Sequence, residues 1–285
     1  MKVIKQKTKT LVTKPNGRSS DAVSPNFIYG CLGGCMDSYC YVGRFNHDKL
    51  YINENVDQIL ASIDQWVEAQ PWPKVPNQTD DHYYTIDIGC STDVALHSKF
   101  YDWQKVFDFF NAHPKLKFTF ATKYPSRFKL DQYSIHPKNR IRVSMMPQGI
   151  SDILEPRTDL IKTRIATFPK LYKAMDLHIN FSPVVVYDGW VEDYRQLIAE
   201  MMYDFPNGMP CEVIFLTYNE ASKLRASAEV NDLCWRPNIQ ESKNSQYSGD
   251  VNNIRYHHEL KAQFIDEFKK IFGLYYPLSD IRYIF

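Results

Sequence analysis

The sequence predicts an α/β protein: a partial, TIM-like barrel of six strand–helix units, continued by a C-terminal helix and strand. Three observations predict it. Short apolar strands alternate with helix-length amphipathic stretches along the middle of the chain, a pattern that builds a parallel sheet covered by helices. The strand Phe27–Tyr29 precedes that series and completes the six. It also runs straight into a loop carrying Cys31, Cys35 and Cys40, and in parallel barrels the loops at the strand C-terminal ends carry the chemistry.

The elements follow in order. Residues 1–20 are basic, with Lys2, Lys5, Lys7, Lys9, Lys14 and Arg18 ahead of the first acid, Asp21. Such a run reads as a solvated tail or as an arm touching an anionic partner. After the cysteine loop, Asn55 with Gln58 forms a capping-box pattern. Val56, Ile59, Leu60, Ile63, Trp66 and Val67 then fall on one helical face, which Pro71 and Pro73 terminate. Strands are expected at 83–88, 118–122, 141–145, 179–184 and 213–216. Helices are expected near 102–112, 157–174, 190–203 and 219–229. Residues 235–256 are polar and read as irregular. A helix over 256–272 carries Leu260, Phe264, Phe268, Ile271 and Phe272 on one side, and 281–285 alternates as a strand. The expected organisation is a basic arm over 1–26, the barrel over 27–230, and an extension over 231–285 that shapes the substrate site.

Composition narrows the function. The chain has 285 residues, 44% hydrophobic and 24% charged, with a net charge of +1. No global field therefore draws it onto nucleic acid. Its six cysteines are not spaced as a secreted disulfide framework. No apolar run approaches membrane-spanning length, and residues 1–20 lack a signal-peptide centre. A cytoplasmic protein that needs a reducing compartment is expected.

The chemistry concentrates in Cys31-Leu32-Gly33-Gly34-Cys35-Met36-Asp37-Ser38-Tyr39-Cys40-Tyr41. Thiolates this close can converge on one metal centre, and the glycines let the backbone wrap it. Neither a fourth neighbouring cysteine nor a paired histidine closes a zinc site. Three ligands leave one position open. A zinc knot completed by an outside ligand, in an interaction module, is the non-enzymatic reading of the same residues.

The stretch resembles the cluster loop of the radical S-adenosylmethionine (SAM) enzymes, Cys-x3-Cys-x2-Cys with an aromatic residue before the last cysteine. Tyr39 fits; the second spacing here is four residues rather than two. Four further stretches resemble the spore photoproduct lyase branch of that superfamily. They are Gly89-Cys90-Ser91-Thr92-Asp93, Thr122-Lys123-Tyr124, Ser182-Pro183 with Asp188-Gly189-Trp190, and the closing aromatic strand. The resemblance implies a partial barrel of the radical SAM type. It implies that Cys31, Cys35 and Cys40 ligate a [4Fe-4S] cluster whose fourth iron holds SAM, and that a 5′-deoxyadenosyl radical abstracts hydrogen from a substrate. It places Thr92 and Lys123 against the SAM carboxylate, Ser144 against the ribose and Tyr41 beside the adenosine. It makes Cys90 the thiol that returns a hydrogen atom to the product radical.

For each of these positions an ordinary structural role stands beside the implied one. Lys123 reads equally as surface solvation, Thr92 as a turn cap, Ser144 as a small barrel-interior residue, Tyr41 as packing and Cys90 as a small buried hydrophobe. Asp87 and Asp93 flank the Cys90 strand end, where they could orient the SAM amine or hydroxyls. His257-His258 read as a solvated turn, and Cys211 and Cys234 as structural.

Two substrates fit the resemblance. One is a thymine photoproduct in DNA. The other is a ribosomal precursor peptide, from which splicease relatives excise a tyramine unit and leave an α-keto-β-amino acid. Those relatives work with a small peptide-recognition partner protein, and the chemistry needs an external electron donor. The long second spacing, the short segment ahead of Cys31, the near-neutral charge and Gln246-Tyr247, where DNA-repairing members carry an arginine, favour the peptide.

Overall fold

The computed structural model describes residues 2–33, 49–205, 208–244 and 252–285. Cys35, Cys40, Tyr41 and Gln246-Tyr247 lie outside the described residues. The chain opens with β1 (Lys2–Gln6), β2 (Lys14–Pro15), β3 (Ala22–Val23), β4 (Ile28–Tyr29) and β5 (Lys49–Asn53). Helix α1 (Val56–Glu68) buries Ile59, Leu60, Ile63 and Val67 on the expected face. Asn55 does not cap it with a backbone bond. Its amide donates to the Gln58 side chain at 2.7 Å, and its Oδ1 accepts the Thr8 N–H at 3.0 Å, so it ties the end of β1 to the helix instead.

The barrel proper follows: β6 (Tyr84–Asp87), α2 (Trp103–Ala112), β7 (Leu116–Thr122) and β8 (Arg140–Ser144). The helix expected over 157–174 divides. After α3 (Gln148–Leu154) come α4 (Ile161–Ala166) and α5 (Phe168–Ala174), and α5 begins at the Phe168-Pro169 pair because proline starts a helix but cannot continue one. Then come β9 (Asp176–Val184), α6 (Trp190–Asp204), β10 (Cys211–Phe215) and β11 (Thr217–Asn219). The helix expected over 219–229 is also two, α7 (Glu220–Lys223) and α8 (Ala228–Cys234), the second capped by Ser227. The chain closes with β12 (Gln240–Asn244), β13 (Asn252–Tyr256), α9 (His258–Gly273) and β14 (Ile281–Ile284).

One eight-stranded sheet, in the order β14-β10-β9-β8-β7-β6-β3-β2, curls into a half-barrel. All its neighbouring pairs are parallel except β2–β3. Two small sheets sit beside it, β1-β5-β4 and β11-β13-β12. The structure corrects three sequence expectations. Phe27–Tyr29 is not a barrel strand; Ile28–Tyr29 pairs antiparallel with β5 in the first small sheet. The basic segment is not a solvated tail, because β1, β2 and β3 are all paired. Gln240–Asn244 and Asn252–Tyr256 pair as antiparallel strands rather than irregular chain, with Gln240, Ile254 and Tyr256 turned inward.

The strands also carry a second, polar face that the apolar reading missed. Ile86, Phe118, Phe120, Ile141, Val143, Ile179, Phe181 and Val213 pack under the helices. Alternating with them, Thr85, Asp87, Lys117, Thr119, Arg140, Arg142, His178, Asn180 and Glu212 are buried on the opposite, inner face. Their charges are paired. Lys117 bridges Asp80 and Asp176 at 2.8 Å each, and Arg140 joins Asp176 at 2.8 Å. No described helix is long and apolar enough to cross a membrane.

Asp21 joins the N-terminal strands to the barrel. Its Oδ2 accepts from Lys74 Nζ at 2.9 Å, Thr79 Oγ1 at 2.7 Å, and the Thr85 N–H and hydroxyl at 2.8 and 2.9 Å; Oδ1 accepts from Asn77 at 2.8 Å. Burial would raise its pKa, but the bonds from Asn77, Thr85, Lys74 and Thr79 hold it below the usual 3.8. Asp21→Ala leaves the buried Lys74 ammonium without its carboxylate, and we expect a loss of about 3–5 kcal/mol in urea unfolding at pH 7. A carboxylate whose pKa is depressed by folding stabilises fully above its unfolded value. The difference between wild type and variant should therefore be complete above about pH 4 and shrink as pH falls through the depressed pKa.

Candidate active site

The cysteine loop is built at the point where β4 ends and the chain must turn. Gly30 makes that turn at φ 106°, a conformation that glycine adopts without strain. Side chains from the segments after β6 and β7 then hold the next backbone units one by one. Thr92 Oγ1 donates to Gly30 O at 2.8 Å. The Leu32 N–H donates to His97 Nε2 at 3.2 Å. Tyr124 Oη donates to Gly33 O at 2.8 Å. A Cβ at Gly33 would stand 2.5 Å from that same Tyr124 oxygen, so only glycine permits the bond. The Gly30 N–H completes the attachment by donating to Ser91 O at 3.1 Å.

His97 has a defined tautomer in this arrangement. Nε2 accepts from Leu32, so the proton resides on Nδ1, which lies 2.9 Å from Thr92 Oγ1 and 3.0 Å from Asp93 O. Burial lowers its pKa to about 4, so the ring is neutral across the physiological range. Cys31 itself is half-buried, and the Gly33 N–H points at its sulfur from 3.4 Å. An amide donor beside a sulfur favours the thiolate, the form that ligates metal. Cys31 therefore fits as a cluster ligand; Cys35, Cys40 and Tyr41 lie outside the described residues.

The structure brings the other sequence-predicted residues to the same end of the barrel. Thr92 is buried, and its hydroxyl is used on the cysteine loop. Lys123 directly follows β7, and its ammonium lies 2.6 Å from Glu155 Oε1, while Arg164 grips Glu155 Oε2 at 2.8 Å. Burial would raise the Glu155 pKa, but Lys123 and Arg164 hold it below the ordinary carboxylate value. Two cations thus face one carboxylate. Ser144 ends β8, buried, in register with Asn180 of β9. Asn180 Oδ1 is buried and accepts no hydrogen bond, which suits a ligand hydroxyl or amine entering there.

Cys90 follows β6, and Ser91, its immediate neighbour, is hydrogen-bonded to Gly30. The thiol reaches solvent, yet protein surrounds it on most sides. That desolvation, reinforced by the Asp87 carboxylate, pushes the thiol up to about 12. Cys90 is therefore S–H at neutral pH. Asp87 and Asp93 are otherwise engaged. Asp87 Oδ2 receives Arg142 at 2.5 Å, and Asp93 receives Thr122 Oγ1 and the Lys123 and Leu96 N–H groups at 2.8–3.1 Å. Cys211 and Cys234 are buried, as expected of structural thiols.

His97, Tyr124, Glu155 and Arg164 were missed by the sequence reading. Tyr124 closes the family stretch Thr122-Lys123-Tyr124 without a role of its own there, and His97 left a trace as one polar residue in the otherwise apolar run Val94-Ala95-Leu96-His97. The outer residues around a metal ligand typically alter metal retention by about 10–100-fold. In protein reconstituted with iron and sulfide, His97→Ala should release iron to a chelator about tenfold faster than wild type. Unchanged release would mean that the Leu32 bond does not support the loop.

Comparison with known proteins places these features in one family. A sequence model described as spore photoproduct lyase matches residues 4–284. The spore photoproduct lyase of Bacillus subtilis (strain 168) is 26% identical over 211 residues, covering 73% of this chain and 58% of that protein, so the match spans little more than half the curated relative. A spore photoproduct lyase complexed with dinucleoside spore photoproduct superposes with a TM-score of 0.82 at 18% identity, over 99% of this chain and 82% of that one. A double mutant with bound AdoMet and the same dinucleoside superposes with a TM-score of 0.83, also at 18% identity and over the same shares. At such identities the structures establish a common fold. Because the family model runs through almost the whole chain, this protein belongs to the spore photoproduct lyase family.

Proposed function

We propose that this protein is a radical SAM lyase that opens a thymine photoproduct of the kind its relatives are named for. One observation carries the reading. Ser91 and Thr92, the residues after Cys90, are hydrogen-bonded directly to Gly30 at the head of the cysteine loop, which supports a protonated Cys90 thiol acting beside the metal centre. A [4Fe-4S] cluster with SAM, when bound, supplies a 5′-deoxyadenosyl radical, and an external donor supplies the electron. Cys31, Cys35 and Cys40 hold the cluster. Lys123 presents its ammonium to the SAM carboxylate, and Ser144, with the orphaned Asn180 acceptor beside it, receives the ribose hydroxyls. Thr92 acts through the loop, holding Gly30 in place. Cys90 gives its S–H hydrogen atom to the product radical, a role that its raised pKa suits because a thiolate has no hydrogen to give. Such a centre belongs in a reducing, cytoplasmic compartment.

A second reading keeps the same chemistry on a precursor peptide, as in spliceases, with a small recognition protein as partner. It is supported by the β12–β13 strand pair, where Glu241 lies 2.7 Å from Lys243 and 3.6 Å from Arg255. Those two cations are already countered, whereas duplex DNA is held by cations aimed at phosphates.

The two readings separate in one assay. Anaerobic protein with SAM and dithionite is given dinucleoside spore photoproduct or, separately, a tyrosine–glycine precursor with its partner. We expect thymine recovery from the first. A tyramine-sized mass loss from the second, with no thymine, would overturn the lesion reading. Cys90→Ala should lower thymine recovery at least tenfold while 5′-deoxyadenosine still forms.

A further inference from the structure

The small β1-β5-β4 sheet has one face buried and one open. Leu50, Ile52 and Ile28 turn inward and are at most 3% exposed. The opposite face pairs Ile4 with Tyr51 and Tyr51 with Tyr29, in register across the three strands. Tyr29 is 41% exposed. The two tyrosine rings lie 6.4 Å apart at 50°, so neither covers the other's face. They border an open cavity of about 550 Å³ whose remaining wall is uncharged, Pro25 beside the polar Gln6, Thr8, Asn26 and Asn53. No described carboxylate lines it.

Charge gives this face its polarity. Lys2 and Lys49 are direct register partners, and both are exposed. Like charges placed opposite each other across a strand pair repel, and a bound anion relieves that repulsion. Lys7 and Lys9 continue the basic run beyond β1. Aromatic rings on an open sheet face, bordered by lysines, form the arrangement on which unpaired bases stack while the phosphates meet cations. Tyr29 is also two residues ahead of Cys31, so a strand lying here would lead into the metal centre.

We propose that this face is a platform for unpaired nucleotides of the DNA strand flanking the lesion. The inference rests on the lesion reading above and adds where the rest of the strand is held. Its test is fluorescence anisotropy of labelled (dT)6 against the iron-reconstituted protein. Tyr29→Ala and Tyr51→Ala should each weaken binding about tenfold, and Tyr29→Phe and Tyr51→Phe should bind as wild type. Lys2→Gln with Lys49→Gln should reduce the slope of log affinity against log salt by about 1. Alanine variants that bind as tightly as wild type, an unchanged salt slope, or displacement of (dT)6 by an acidic peptide of equal length would each overturn the platform. A separate control distinguishes it from the reading beneath. If wild type fails to convert the dinucleoside photoproduct while the Ala–Phe contrast persists, the lesion reading falls and the platform stands; conversion with no contrast has the opposite meaning.

Discussion

Arg142 is the interaction on which the half-barrel depends. From β8 its guanidinium reaches Asp87 of β6 at 2.5 Å, Glu212 of β10 at 3.2 Å and Thr119 of β7 at 3.0 Å. Tyr283 of β14 then donates to Glu212 at 3.0 Å, bringing in the C-terminal strand. Burial alone would lower the arginine's pKa, but Glu212 and Asp87 outweigh it and hold the charge firmly. A buried charge without partners costs several kcal/mol, so the five strands must keep their places around it. The network fills the inner side of the sheet with polar groups. The apolar side is left to the helices.

That division explains where the site forms. The inner face is polar along its length, and the lower ion pairs of Lys117, Arg140, Asp80 and Asp176 close it with protein charges. Toward the strand C-terminal ends lie the Cys90 thiol, the unsatisfied Asn180 carbonyl and the Lys123 ammonium. The described head of the cysteine loop is held at that end by bonds to its backbone and by Leu32 packed against the core. Thr92, His97 and Tyr124 each hold one peptide unit of it.

Much of this was legible in the sequence, for physical reasons that differ by element. The strands β6 to β10 announced themselves because β-branched and aromatic residues recur on their helix-facing side. α1 was legible because Ile59, Leu60, Ile63 and Val67 repeat at helical spacing. Cys31 and the stretches around Cys90 and Lys123 were legible as motifs, and the structure gathers them at one end of the barrel. The N-terminal strands were not legible, because exposed lysines mask two-residue pairings that depend on distant partners such as Asp87 and Thr85. The β12–β13 strand pair hid behind its polar composition. The interior ion network was invisible because its members are separated by up to 125 positions between Asp87 and Glu212, and nothing local marks them as partners. The tethers on the cysteine loop were hidden in the same way, Tyr124 being 91 residues from Gly33.

The central claim is that Cys31, Cys35 and Cys40 hold a redox cluster which, with SAM, drives radical chemistry beside Cys90. The most direct measurement is 5′-deoxyadenosine by mass spectrometry, from anaerobically reconstituted protein given SAM and dithionite, with bound iron and zinc determined on the same sample. The account predicts a brown protein with about four irons per chain when the site is filled, and 5′-deoxyadenosine that disappears when Cys31 is replaced by alanine. A colourless, zinc-bound protein that leaves SAM intact would contradict it.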